Sequence, residues 1–189
     1  MRIFFGEHTS IEKFSDIAPI NISIKDIAHN LSMQCRYNGA CPNFYSVAEH
    51  SVIVSEMLDS LPQDAIRLGL LHDAHEAYIG DIVRPVKNIL GCSDFDNLSK
   101  KIDMQIFQKY SLGSASNNWA SVVKEMDDLL LAIEAQKFFS SFKTTDIPCY
   151  PVLQEIIEKY DKRIECLLPE LAAEEFIKAF SKLFPGERV

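Results

Sequence analysis

Four polar side chains stand where the surrounding pattern of residues is apolar: His50, His72, Asp73 and Asp127. Burying an unpaired carboxylate is costly, so such groups pair with one another or bind a cation. Two imidazoles and two carboxylates make a mixed nitrogen and oxygen set suited to one divalent transition metal, of the series Mn, Co, Fe, Ni or Zn. Four protein ligands on a six-coordinate ion leave positions for water and a substrate oxygen. Such an ion acidifies water and polarises a phosphoryl oxygen at the same time. A plainer reading is also open, in which His50 is a hydrogen-bonded core histidine and His72-Asp73 a local capping pair.

These residues need helices to bring them together. The spacing predicts a first helix over about 25–37, stopped by Asn38-Gly39, and then a loop over 40–45 containing Pro42 and Asn43. Ser46 reads as an N-cap with Glu49 completing a capping box. Val47, His50, Ser51, Val54, Leu58 and Leu61 then share one stripe up to Pro62, which points His50 along a buried seam. A helix over about 64–77 follows, with Ile66, Gly69, Leu70 and Asp73 on one face and Leu68, Leu71, His72 and His75 beside it.

Further helices are expected over about 94–110, 119–140, from Val152, and over 169–184, where Pro169 suits a first turn and Pro185-Gly186 a stop. A Gly/Ser/Asn loop is expected up to Asn118. In the 119–140 helix, Asp127 lies on the stripe Val123, Met126, Leu130 and Ile133, whereas Asp128 shares a face with Ser121, Lys124 and Glu125. Helical phase therefore prefers Asp127 as the inward carboxylate, and a one-residue error in phase would reverse the choice. Residues 1–24 are mixed and admit a short hairpin. The expectation is an all-α domain of about seven helices with a short mixed N-terminal segment.

Composition narrows the function further. The chain has 189 residues, 47% of them hydrophobic, which is enough for one domain whose core needs no disulfide. Nineteen basic against 27 acidic residues give a net charge of −8, which repels phosphate backbones and argues against a DNA or RNA binder. No apolar run approaches the roughly 20 residues of a membrane span. Arg2, three apolar residues, Gly6 and Glu7 do not read as a secretory signal. Five cysteines with no C-x-x-C pair suggest free thiols and a reducing cytoplasm.

The run Leu70-Leu71-His72-Asp73-Ala74-His75-Glu76-Ala77-Tyr78-Ile79-Gly80-Asp81-Ile82 is preceded by Val47-Ala48-Glu49-His50-Ser51, with His50 lying 22 residues before His72, and followed by Lys124-Glu125-Met126-Asp127. In that order these segments resemble the HD-domain phosphohydrolase superfamily, whose H…HD…D signature spreads its ligands over three helices. The segment Gly80-Asp81-Ile82-Val83-Arg84-Pro85-Val86-Lys87 is similar to the branch of bacterial 5′-deoxynucleotidases and phage-type HD hydrolases. The likeness covers about residues 25–140, so the chain is expected to be one HD-type domain over 1–189, with C-terminal helices over about 150–185.

The resemblance implies that His50, His72, Asp73 and Asp127 ligate the metal and that Glu76 moves protons. It also implies that Arg36 orients the substrate phosphate, its forked donors fitting phosphate oxygens. Tyr37 would contact sugar or base, and Asp81 would stand by the sugar and disfavour a 2′-hydroxyl. Arg84 and Lys87 would add positive charge near the phosphate, and Asn43, Phe44 and Tyr45 would lie near the pocket. His75 is expected at the surface and His29 behind the ligands.

The expected reaction is hydrolysis of deoxynucleoside 5′-monophosphates to deoxynucleoside and phosphate. One alternative is a deoxynucleoside triphosphohydrolase releasing tripolyphosphate, and another is a non-catalytic nucleotide-binding HD domain. The expected partner is a small nucleotide, with no nucleic-acid polymer and no membrane. A homo-oligomer through the stripe of Phe176, Phe180 and Phe184 is a further expectation, and the same stripe serves equally well as core.

Overall fold

The computed structural model describes residues 3, 4, 6, 10–13, 16–83, 86, 93–142 and 154–187. Two short strands, β1 (Ile3–Phe4) and β2 (Ser10–Ile11), pair antiparallel with Ile3 opposite Ile11. The rest is helical: α1 (Ile24–Met33), α2 (Val47–Met57), α3 (Gln63–Leu71), the one-turn α4 (Glu76–Ile79), α5 (Ser93–Lys109), α6 (Gly113–Phe138), α7 (Gln154–Arg163) and α8 (Pro169–Leu183). Among the described residues, seven helices are nine residues or longer, so the fold is all-α as the spacing predicts.

The organising element is α2. Its first nine residues, Val47 to Ser55, are all buried, as in a helix surrounded by others rather than laid on a surface. It packs against α1, α3, α6 and α8. On one side Val47, Ala48 and Val52 join a core with Ile27 and Leu31 of α1 and Phe176 and Phe180 of α8. On the other, Ile53, Val54 and Leu58 join Leu130 and Ile133 of α6 and Tyr160 of α7. The helix starts as its sequence suggests, with the Ser46 hydroxyl accepting the Glu49 amide at 3.1 Å. The return half of the capping box is replaced: the Glu49 carboxylate turns away to accept the N–H groups of Glu165, Cys166 and Leu167 at 2.8, 3.1 and 2.8 Å.

The crossing of α2 and α3 is close because Gly69 has no side chain. A Cβ there would stand 2.5 Å from Leu58 Cδ1 and 3.3 Å from Ser55 Cα.

Several helix limits differ from the spacing pattern, each for a tertiary reason. α1 stops at Met33 because Cys35 bridges to Ser46, while the Arg36 amide donates to Tyr45 O at 2.8 Å and the Val47 amide to Gln34 O at 3.1 Å. Tyr37 and Asn38 then turn the chain in left-handed backbone conformations. α2 ends at Met57, and turns carry the chain to Pro62.

The helix expected to run through Ala77 instead ends at Leu71, where the backbone tightens into i to i−3 bonds such as Glu76 N–H to Asp73 O at 2.9 Å. α6 begins six residues earlier than Trp119. Burial of Leu112 and Ala115 and the Leu112 amide bond to Phe107 O (2.8 Å) outweigh the loop-like Gly, Ser and Asn composition.

Phe176 and Phe180 are fully buried, and Phe180 packs edge-on to Tyr110 with centroids 5.1 Å apart. The aromatic stripe of α8 is thus part of the chain's own core. Cys35, Cys41 and Cys166 are free thiols, while Cys92, Cys149, Val152, Arg84 and Lys87 lie outside the described residues. No described helix is long and apolar enough to cross a membrane.

Candidate metal centre

α2 carries His50, the turn after α3 carries His72 and Asp73, and α6 carries Asp127. Three separate elements meet here. His50 Nε2 lies 3.2 Å from Asp127 Oδ1 and 3.9 Å from Asp73 Oδ2; His72 Nε2 lies 3.2 Å from Asp73 Oδ2 and 4.0 Å from Asp127 Oδ1. The ligating atoms of His50, His72 and Asp127 all fall within 4.8 Å of one another. Ligand atoms about 2.1 Å from a common ion stand roughly 3.0 to 3.4 Å apart when adjacent, so the separations suit a slightly open cage. The phase argument for Asp127 agrees with this placement, since Asp128 points away and pairs with Lys124.

The ring orientations carry the chemistry. His72 Nδ1 is 2.8 Å from the carbonyl of Gly69 and His50 Nδ1 is 2.7 Å from Glu134 Oε1. Both partners accept, so each Nδ1 bears a proton, and each ring presents its Nε2 lone pair to the cluster whenever it is neutral. Neither Nε2 has a hydrogen-bond partner of acceptable geometry, although both are buried. Two inward-facing nitrogens beside two carboxylates is an arrangement that a divalent cation satisfies.

In the metal-free protein a proton takes part of that role. Burial opposes charging His72, but the carboxylates of Asp73 and Asp127 push it up to about 9. Burial would raise Asp73 and Asp127, but the two imidazoles hold both well below the usual carboxylate range.

Arg36 sits at the edge of this cluster. Its Nε and Nη2 donate to Glu134 Oε2 at 3.2 and 3.0 Å, and Nη1 faces Asp73 Oδ2 at 3.9 Å. Tyr37 donates its hydroxyl to Glu134 Oε2 (2.9 Å) and to Leu131 O (3.1 Å). Tyr45, expected in a loop by the pocket, is fully buried and donates to Glu134 Oε1 at 2.8 Å.

Glu76 is buried at the start of α4, and its carbonyl accepts from Gln34 Nε2 at 2.9 Å. The other end of Gln34 accepts the Asp81 amide at 2.9 Å, so one side chain sets the path of the backbone from Glu76 to Asp81. Gly80, at φ +82°, makes the turn between them. His75 departs from its expected surface position and faces Asp103 of α5 at 3.1 Å. His29 is exposed, and not behind the ligands.

Spacing did not single out Glu134, Gln34 or the long reach of Glu49. For Glu134 a signal existed: it lies seven residues, two helical turns, after Asp127 inside the apolar run Leu129 to Ala135. The same phase rule that selects Asp127 therefore selects it. Burial would raise its carboxyl, but Arg36 and His50 hold it down to about 2.

Fold and site together define an all-helical protein with a buried histidine and carboxylate cluster able to hold a metal ion. No protein-family model matches the chain. It is 34% identical over 183 residues to the Escherichia coli protein named uncharacterized protein YfdR, an overlap of 97% of this chain and 94% of that one. An uncharacterized protein of Rhodobacter capsulatus is 40% identical over 82 residues, 40% of this chain and 42% of that one. The chain belongs to the family of YfdR.

Proposed function

We propose that this protein is a metal-dependent phosphohydrolase of the HD type, cleaving deoxynucleoside 5′-monophosphates to deoxynucleoside and phosphate. The observation that carries the reading is the pair of buried Nε2 atoms facing Asp127 and Asp73, with the Nη1 of Arg36 beside Asp73. The order of the HD-like motifs along the chain supports it. His50, His72, Asp73 and Asp127 would hold the ion, which would supply positive charge to a phosphoryl oxygen and acidity to water.

The remaining work falls to the chain's own groups. Arg36 keeps one edge pinned to Glu134, which leaves Nη1 to orient a phosphate oxygen next to the cluster. This fixed positive charge needs no rearrangement as charge grows on the phosphoryl group, which is how preorganised donors lower a barrier. Glu76, three residues beyond Asp73 and buried at the start of α4, would transfer the proton between water and the leaving 5′-oxygen. Asp81, whose amide is held by Gln34, would disfavour a 2′-hydroxyl, and Tyr37 would contact sugar or base.

A triphosphohydrolase would need further cations for the outer phosphates. Among the described residues Lys124, the cation near the cluster on α6, pairs with Asp127 and Asp128, while Arg84 and Lys87 lie outside the described residues.

Metal-stripped protein reloaded in turn with Mn, Co, Mg and Zn, and given deoxy- and ribonucleoside mono- and triphosphates, tests the reading. Orthophosphate from deoxymonophosphates, absent in Asp73→Ala, is the expected result. Tripolyphosphate from a triphosphate would transfer the function to the alternative. Retained nucleotide binding without turnover for any metal would favour a non-catalytic domain.

A further inference from the structure

We propose that Glu134 is a positioning residue that holds the metal-facing nitrogen of His50 and the phosphate-facing edge of Arg36 as one unit, so that ion and anion are bound by coupled parts of the chain. The Arg36 half rests on the hydrolase reading above; the His50 half rests on the metal centre alone.

Glu134 is fully buried on α6 and takes donors on both oxygens. Oε1 accepts from His50 Nδ1 at 2.7 Å and from the Tyr45 hydroxyl at 2.8 Å. Oε2 accepts from Arg36 Nε and Nη2 at 3.2 and 3.0 Å and from the Tyr37 hydroxyl at 2.9 Å. An ionised carboxylate only accepts, so the His50 proton must sit on Nδ1 and the lone pair on Nε2, toward Asp127. The same carboxylate occupies the Nε and Nη2 edge of Arg36 and so selects Nη1 as the edge facing the cluster. His50 and Arg36 are themselves buried, so water is a poor substitute for either bond.

A near-isosteric amide breaks this arrangement in a definite way. In Glu134→Gln, an amide oxygen turned to His50 leaves the amide NH2 against Arg36, which has no acceptor, and that edge is released. An amide NH2 turned to His50 forces the ring to accept at Nδ1 and to carry its proton on Nε2, where the ion must bind. One half of the unit fails in either orientation. Tyr45→Phe is the matched control, since it removes a donor from the same carboxylate but leaves the His50 tautomer alone.

The experiment measures Mn affinity without nucleotide, inorganic phosphate binding to the Mn-loaded protein, and thermal unfolding, for wild type, Glu134→Gln and Tyr45→Phe. Folded Glu134→Gln is expected to lose about 10- to 100-fold in Mn affinity, the usual effect of removing a group that orients a ligand, or a similar factor in phosphate affinity. Tyr45→Phe is expected to stay within about threefold of wild type in both.

Both affinities unchanged in folded Glu134→Gln would overturn the proposal, as would an equal loss in Tyr45→Phe. If Glu134→Gln does not fold, nitrogen-15 imidazole spectra of metal-free wild type decide: a proton on His50 Nδ1 supports the proposal, and a neutral ring protonated on Nε2 overturns it. A wild type that binds no Mn sinks the metal reading and this one with it. A wild type that binds Mn but cleaves no nucleotide sinks only the hydrolase reading.

Discussion

His72 Nδ1 donates to the carbonyl of Gly69 across 2.8 Å, and Gly69 is also where the crossing of α3 and α2 leaves no room for a side chain. The close helix crossing and the ring orientation therefore depend on the same residue. In the metal-free protein Asp73 and Asp127 hold His72 charged up to about 9, against an ordinary value of 6.5. A raised value in the folded state stabilises below the unfolded value and is lost as pH rises through the folded one. The melting temperature of metal-free protein should thus fall between pH 6.5 and about 9. Metal must displace that proton, so its affinity should rise over the same window by up to about tenfold per pH unit for each proton released. Parallel melting and Mn titrations across the window check both slopes; flat curves would refute the assignment.

Asp127 and Asp128 are neighbours with different fates. Asp127→Asn should remove metal binding in a Co titration followed by absorbance. Asp128→Asn should keep it and cost only about 0.3 kcal/mol, the worth of an exposed pair with Lys124 one turn away. Equal loss in both variants would mean that the phase of α6 at this position is wrong.

Glu49 stabilises the fold without touching the cluster. Three consecutive N–H groups, from Glu165 to Leu167, converge on its carboxylate just before α8. Glu49→Ala should cost about 3 kcal/mol, or roughly 6 to 12 °C in melting temperature for a chain of this size. Circular dichroism melts measure it, and a shift under about 2 °C would show that water replaces the carboxylate.

Acid should act through Glu134. Its carboxyl is held down to about 2 from an ordinary 4.5, so its contribution is present above 4.5 and is lost as pH falls toward about 2. The melting temperature of the metal-free wild type should drop across that interval. Folded Glu134→Gln should show a shallower drop, and an identical one would assign the acid sensitivity to other carboxylates.

The features legible from sequence were those that follow helical phase. The choice of Asp127, the capping Ser46, the inward His50 and the ends of α5 and α8 are local consequences of 3.6-residue periodicity. What escaped was set by distant partners. Tyr45 reads as a loop aromatic until its hydroxyl is seen to reach Glu134, 89 residues on. Arg36 falls within the periodic pattern of α1, yet pairing of 34–36 with 45–47 ends that helix first. Gly113 to Asn118 has loop-like composition, and the burial of Leu112 and Ala115 makes it helix.

The burial of the first nine residues of α2 gives the cluster a direction. His50 forms a closed rear wall, while the side chains of His72, Asp73 and Asp127 keep 11%, 19% and 13% of their surface open. Among the described residues, the cluster is open on the side of these three. On the proposed hydrolase reading, ion and phosphate would meet at these three residues. If that reading holds, a phosphate resting against them would shield the ion, so a chelator should strip metal more slowly when phosphate is present.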